Sequence, residues 1–117
     1  MSNNDYLLSS RLASRITFQK LESDGRNPDY SPKAPEWKDV AKAWAEVLTI
    51  GGEEGRVAAA DSMQVKYRIT IRRRRDIDPS MRILLPSGVT AHIKSIRDPD
   101  GRGVYLEINA LEIQGAV

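Results

Sequence analysis

Val65-Lys-Tyr-Arg-Ile-Thr-Ile-Arg72 decides the fold class. Val65, Tyr67, Ile69 and Ile71 alternate with Lys66, Arg68, Thr70 and Arg72. Successive side chains of a strand point to opposite faces, so this alternation is a β-strand with one apolar face and one wet face. Downstream, Asp76-Ile-Asp-Pro79 turns the chain, and Met81 to Leu85 reads as a short apolar strand. Pro86-Ser-Gly88 is a tight turn before a further strand, Val89 to Arg97. Asp98-Pro-Asp-Gly101 turns the chain again. The last strand, Tyr105 to Glu112, sets Leu106, Ile108 and Ala110 against Glu107 and Asn109. Turns about ten residues apart are the spacing of an antiparallel sandwich or small barrel.

Upstream the pattern is less uniform. Ser14 to Leu21 alternates, with Ile16 and Phe18 on one face and Arg15, Thr17 and Gln19 on the other, as in a half-buried strand. Pro28, Pro32 and Pro35 exclude a helix from the loop that follows. A long hairpin connection is the simplest reading of that loop. Glu36 to Ile50 supports two readings. Trp37, Val40, Trp44 and Val47 recur at helical spacing and Ala41, Ala43 and Ala45 favour helix, whereas Trp44 and Val47 to Ile50 favour strand. Gly51 and Gly52 end this segment. Glu53 to Ser62 suggests a short helix, with Glu53 and Glu54 near its positive end and Gly55 weakening it. The expected fold is mainly β, a small antiparallel barrel or sandwich of about five or six strands with one short helical or loop excursion. Residues 1–10 are expected to be a flexible N-terminal tail, and 11–117 a single β domain.

The chain has 117 residues, one domain's worth. Hydrophobic residues make up 40% and charged residues 29%, which separates it from membrane-like and disordered compositions. It contains no apolar run long enough to span a bilayer as a helix. Met1 to Asp5 is polar and lacks the apolar core of a secretion signal, so the expected site of synthesis and residence is the cytosol. With no cysteine, disulfides, thiol catalysis and zinc–thiolate sites are excluded. The net charge of +2 is too balanced to announce a nucleic-acid binder. The distribution is uneven, however: six basic residues (Lys66, Arg68, Arg72, Arg73, Arg74 and Arg75) fall within ten positions.

Candidate chemistry is sparse. His92 is the only histidine, so neither a metal cluster nor a hydrolytic triad with a nucleophile elbow can be assembled around it. Asp98-Pro-Asp-Gly101 lacks the ligand series of a calcium loop and is explained as a β-turn. Gly51-Gly52 and Gly101-Arg-Gly103 match no phosphate-binding fingerprint. No cofactor is expected. Arg72-Arg-Arg-Arg75 has three readings: a solvated strand end whose charge discourages aggregation, an intersubunit salt-bridge patch, or a phosphate-contacting face. No Phe or Tyr interleaves these arginines, which disfavours a base-stacking platform. Trp37 and Trp44 are expected in the core, with an interface anchor as the alternative.

Taken in order, these segments resemble the head–tail joining proteins of tailed bacteriophages, also called head-closure or stopper connectors. Arg11-Leu-Ala-Ser-Arg-Ile-Thr-Phe-Gln19 is similar to that family's opening strand. Trp37 and Val40 with Trp44-Ala-Glu-Val47 are similar to its second block, and Gly52-Glu-Glu with Ala58-Ala-Ala60 to its connecting segment. Val65 to Arg72 resembles its most typical strand, Asp76-Ile-Asp-Pro-Ser-Met-Arg82 the turn that follows, and Ile93 to Arg102 its late hairpin. The loop from Glu22 to Glu36 is richer in proline than the family pattern, and Ser-Arg stands where Gly-Arg or His-Arg is usual.

The resemblance implies that Ala43 to Thr49 is strand, and that a small β-barrel carries a long excursion over about Ile50 to Gln64. It implies a non-enzymatic structural subunit of the virion neck, made in the bacterial cytoplasm. Its partners would be the portal and adaptor proteins, the tail or a tail-completion protein, and copies of itself. These copies would form a ring of about twelve-fold symmetry around passing double-stranded DNA, away from any membrane. Gly51, Gly52, Glu53, Glu54, Gly55, Arg56 and Asp61 are the candidate intersubunit or channel loop. Lys66, Arg68, Arg72, Arg73, Arg74 and Arg75 are the candidate basic interface or DNA-proximal face. The rival readings are a tail terminator or tail-completion protein, and a small β-barrel nucleic-acid-binding module.

Overall fold

The computed structural model describes residues 11–23, 25–26, 28–29, 31, 34–50, 56–59 and 62–113, with the backbone path alone at 56–59 and 62–63. Every regular element among them is a strand: β1 (Ser14–Glu22), β2 (Glu36–Thr49), β3 (Arg56–Ala59), β4 (Ser62–Arg72), β5 (Arg82–Leu84), β6 (Thr90–Arg97) and β7 (Tyr105–Glu112). They run in the order β2-β1-β5-β6-β7-β4-β3, and β2 also pairs with β4. That last pairing, Ala45 opposite Ile71 through Thr49 opposite Tyr67, closes six strands into an antiparallel barrel. The expected small β-barrel is therefore the observed one. The residues assigned to the N-terminal tail, 1–10, lie outside the described residues.

A six-stranded barrel has a narrow axis, because the interior of even an eight-stranded one is just wide enough for side chains to fill. The sequence meets this limit by pairing large residues with alanine. Phe18 lies opposite Ala41 and Ile16 opposite Ala43. Ala45 faces Ile71, Ile83 faces Ala91, and Ile93 faces Ala110. Ile16, Phe18, Ile69, Ile71, Ile83 and Ile108 have no exposed surface, and Met81 and Leu85 close the same core. The barrel is filled along its axis and is not itself a pore.

Two irregularities bend the wall. Val40 is extra on β2 where the register shifts between Phe18 and Gln19, and Lys94 is extra on β6 between Ile93 and Ser95. Such bulges sharpen local twist, which a small closed sheet needs. The turns follow their local chemistry. Gly88 takes φ +93° behind Pro86-Ser87, with its N–H donating to Leu85 O at 2.9 Å. At the Asp98 turn, Gly101 adopts φ +70° and donates its N–H to Asp98 Oδ1 at 3.0 Å.

One ambiguity is resolved and one expectation is corrected. The ambiguous Glu36–Ile50 segment is one strand of 14 residues, in line with the family resemblance and against helical spacing. The short helix expected over 53–62 is not formed: Arg56–Ala59 is strand, paired from Arg56↔Val65 to Ala59↔Ser62. A ten-residue helix weakened by Gly55 is marginal on its own. The early residues of β4, which run on past the ends of their pairing with β2 and β7, offer ladder hydrogen bonds instead. At ~3.3 Å per residue β2 alone is about 45 Å long. Strands of this length give a radius of gyration of 16.4 Å, above the ~13 Å of a compact domain of about 100 residues.

Phe18→Ala should lower the unfolding free energy by about 3–5 kcal/mol, the cost of a cavity at a fully buried aromatic. Ala45→Leu should cost about 1–3 kcal/mol by overpacking against Ile71. Urea denaturation followed by tryptophan fluorescence measures both. Tolerance of Leu at position 45 would mean that the barrel axis is not filled as described.

Candidate interaction surface

The alternation of β4 sends Lys66, Arg68 and Arg72 to the outer wall, where all three are exposed. Arg73 to Arg75 lie beyond the strand's end, and Arg73 N still donates to Val104 O at 2.9 Å. Carboxylates of the same chain hold three of the six candidate basic residues. Arg74 grips Asp76 with both prongs of its fork, Nε to Oδ1 and Nη2 to Oδ2, each at 2.8 Å. Its Nη1 donates to Lys42 O at 3.0 Å, tying the segment after β4 to β2. The hydrogen bond from Arg74 holds the Asp76 carboxyl below its ordinary value, and the same bond raises the guanidinium above its own. Arg73 lies 4.0 Å from Asp98. Arg68 lies 3.8 Å from Glu107, which Arg97 holds more closely at 2.7 Å. The guanidinium of Arg72 sits 5.8 Å from the centroid of Tyr105.

What remains is organised around a residue that sequence reading placed elsewhere. Trp44 is 53% exposed, so the core expectation fails for it. The cause is parity: Ala43 and Ala45 face inward, and Trp44 between them must face out. It lies in register with Arg15 on β1, whose guanidinium stacks 5.1 Å from the indole centroid. Leu12, Arg15, Lys42, Ala43, Trp44, Arg72, Arg73 and Arg74 together line an open groove of about 440 Å³. The arginine run thus does meet an aromatic ring, supplied by a neighbouring strand. Trp37, half-buried, is likewise on the outer wall, under Arg82 at 4.4 Å. Arg82 Nε donates to Gln19 Oε1 at 2.7 Å, and Gln19 Nε2 donates to Asp39 Oδ1 at 2.8 Å.

The remaining candidates are dispersed. Lys66 lines a separate, mostly apolar cavity of about 310 Å³ with Ile50, Tyr67, Lys94, Asn109, Ala110 and Leu111. Arg75 is exposed beyond β4. Of the channel-loop candidates, Gly51, Gly52, Glu53, Glu54, Gly55 and Asp61 lie outside the described residues, and Arg56 is placed by its backbone alone, in β3. His92 is exposed on β6, opposite Arg82 and Leu111. Among the described residues no three His, Asp or Glu side chains converge in a way that could hold a metal ion.

Comparison with known proteins gives a consistent picture. The model of a family described as phage head completion protein matches residues 7–113. A chain in the virion of the native gene transfer agent particle superposes with a TM-score of 0.63 at 19% identity, over 85% of this chain and 93% of that one. At that identity the likeness is one of fold. The solution structure of protein SF1141 from Shigella flexneri 2a superposes with a TM-score of 0.67 at 29% identity, over 91% of this chain and 96% of that one. No curated protein matches the chain.

Asp98 supplies a pH test of the turn beside this surface. Burial pushes its carboxyl up, but the N–H groups of Gly103 (2.7 Å) and Gly101 (3.0 Å) outweigh it and hold the group below its ordinary 3.8. A depressed carboxylate stabilises the fold above its unfolded pKa, and that contribution is lost as pH falls through the folded value. Stability by urea titration should therefore hold from neutral pH down to about 4 and decline below it. Asp98→Asn should start lower and decline less. An identical acid limb in Asp98→Asn would remove Asp98 from the titration.

Proposed function

As the chain belongs to the phage head completion protein family, we propose that it is a structural subunit of the virion neck. In this reading it joins the portal and adaptor of a DNA-filled capsid to the tail, and it continues or closes the DNA channel as one member of a ring. The observation that carries the reading is the family match over residues 7–113, nearly the whole chain. The geometry adds a constraint. Since Ile16, Phe18, Ile71, Ile83 and Ile93 fill the barrel axis, no DNA can pass through a subunit, and a channel must run between copies.

A closed ring of identical subunits needs two different, complementary patches on each copy. β4 carries the Trp44–Arg72 groove near its C-terminal end and the β3 hairpin at the other, roughly 30 Å away at ~3.3 Å per residue. The basic side (Lys66, Arg68, Arg72 and Arg74) would meet acidic residues of the excursion, Glu53, Glu54 and Asp61, on a neighbour. Arg74 would bring to that contact a guanidinium already paired within its own chain to Asp76. The excursion, Gly-rich at its start, is the segment we assign to gating or intersubunit contact, because a chain rich in glycine and alanine changes conformation at low cost. Free subunits would be monomeric or weakly associated, with ring formation templated on the portal vertex.

Purified protein added to DNA-filled capsids assembled without it should bind at one vertex and restore tail attachment, counted by electron microscopy. Binding to isolated tails instead would move the protein to tail completion. Deleting Glu53 to Ala60 should leave the monomer folded yet leak DNA or block tail joining, and normal infectivity would count against the gating role.

A further inference from the structure

The groove between β2 and the end of β4 has features that neither a solvated strand end nor a neck assignment requires. Its wall holds an indole 53% exposed, ahead of the other exposed large apolar side chains Leu21, Leu48 and Val40. Around it stand Arg15, Lys42, Arg72 and Arg73, the last of them 4.0 Å from Asp98. Arg74 is occupied with Asp76 and Lys42 O, so it shapes the groove rather than charging it. Arg15 is exposed, and its guanidinium, 5.1 Å from the Trp44 centroid in a cation–π contact, keeps an N–H edge within reach of solvent. That edge is the part that pairs bidentately with a carboxylate. Along the same wall, β2 from Glu36 to Trp44 pairs only with β1 among the described residues, so its second edge is open. Arg74 caps a single carbonyl on it, that of Lys42.

We propose that this groove binds an extended acidic peptide segment of a partner protein, one that places an apolar side chain on Trp44 and carboxylates on Arg15 and Lys42. Each feature selects for that chemistry. The volume of about 440 Å³ falls within the ~300–1,000 Å³ of ligand sites and suits a few side chains. Covering an exposed indole removes apolar area from water, and Trp and Arg are the residues that dominate interface energetics. The open edge of β2 supplies main-chain donors and acceptors to an extended chain. Duplex DNA satisfies only the charges: its bases are stacked on one another, and its phosphates offer nothing apolar to the ring. The surface and its ligand are independent of whether the subunit forms a ring.

The test uses the full chain and a fluorescein-labelled peptide, Glu-Asp-Leu-Glu-Phe-Asp-Glu, followed by fluorescence anisotropy at physiological salt. The expected result is saturable binding that weakens at least tenfold in Trp44→Ala and in Arg15→Gln. It should be retained in Trp44→Phe, which keeps an aromatic face and guards against misfolding of the alanine variant. It should be unchanged in Arg97→Gln, on the wall formed by β6 and β7. Thermal melting of each variant establishes that it is folded. Three outcomes overturn the proposal: no binding by the folded wild type, equal binding of a peptide with Leu and Phe replaced by Ser, or a duplex or single-stranded oligonucleotide that competes through Trp44 more strongly than the peptide.

Discussion

The steric limit of a six-stranded barrel governs the rest of the molecule. Its interior accepts one large side chain for each small one, and the sequence supplies them across paired strands as Phe18 with Ala41, Ile16 with Ala43 and Ile71 with Ala45. The alanines of β2 are therefore not a weak stretch but the half of the packing that lets its two neighbours, β1 and β4, contribute isoleucine and phenylalanine. Their parity also fixes what lies between them. Once Ala43 and Ala45 face the core, Lys42, Trp44 and Glu46 must face solvent. The outer groove is thus a geometric by-product of the inner packing, and neither can be changed without the other.

This explains what the sequence made legible and what it did not. The strands with clean alternation, Ser14–Glu22, Thr90–Arg97, Tyr105–Glu112 and the later part of β4, could be read directly because each buries one face of β-branched or aromatic residues. Glu36–Thr49 resisted because Trp37, Val40, Trp44 and Val47 imitate a helical stripe while alanine carries helical propensity. The deciding signal was the two-residue period of Ala41, Ala43 and Ala45, which propensity arguments treat as composition rather than as a face. The bulge at Val40 further obscured it by shifting the phase of Trp37 relative to Trp44. The Arg15–Trp44 stack lay beyond any local reading, since its members are far apart in sequence and meet only through the β1–β2 register.

The arginine run shows how a charge cluster divides when it folds. Of four consecutive arginines, one is stacked near Tyr105, one leans on the Asp98 turn, one is clamped by Asp76, and one is exposed. The clamp is local in sequence, and it places a guanidinium nitrogen on Lys42 O, where the β2–β4 ladder has ended. A side chain therefore ties the barrel seam three residues past the last backbone pairing, Ala45 with Ile71. The same seam borders the groove, so the fold's closure and its most distinctive outer surface share residues.

The order in which the strands are joined has a kinetic meaning. β1 pairs with β5 through Thr17 and Leu84, and β4 reaches its second barrel neighbour only in β7, at Tyr105 to Leu111. Closing such loops costs entropy before any packing repays it, and folding rates fall as contacts become less local. On a ribosome the seam cannot seal until Tyr105–Glu112 has emerged, so Ile16, Phe18, Ile69 and Ile71 remain wet for most of synthesis. Arg15, Arg68 and Arg72, which flank Ile16, Ile69 and Ile71, are then the chain's protection against pairing with a neighbour's unfinished sheet.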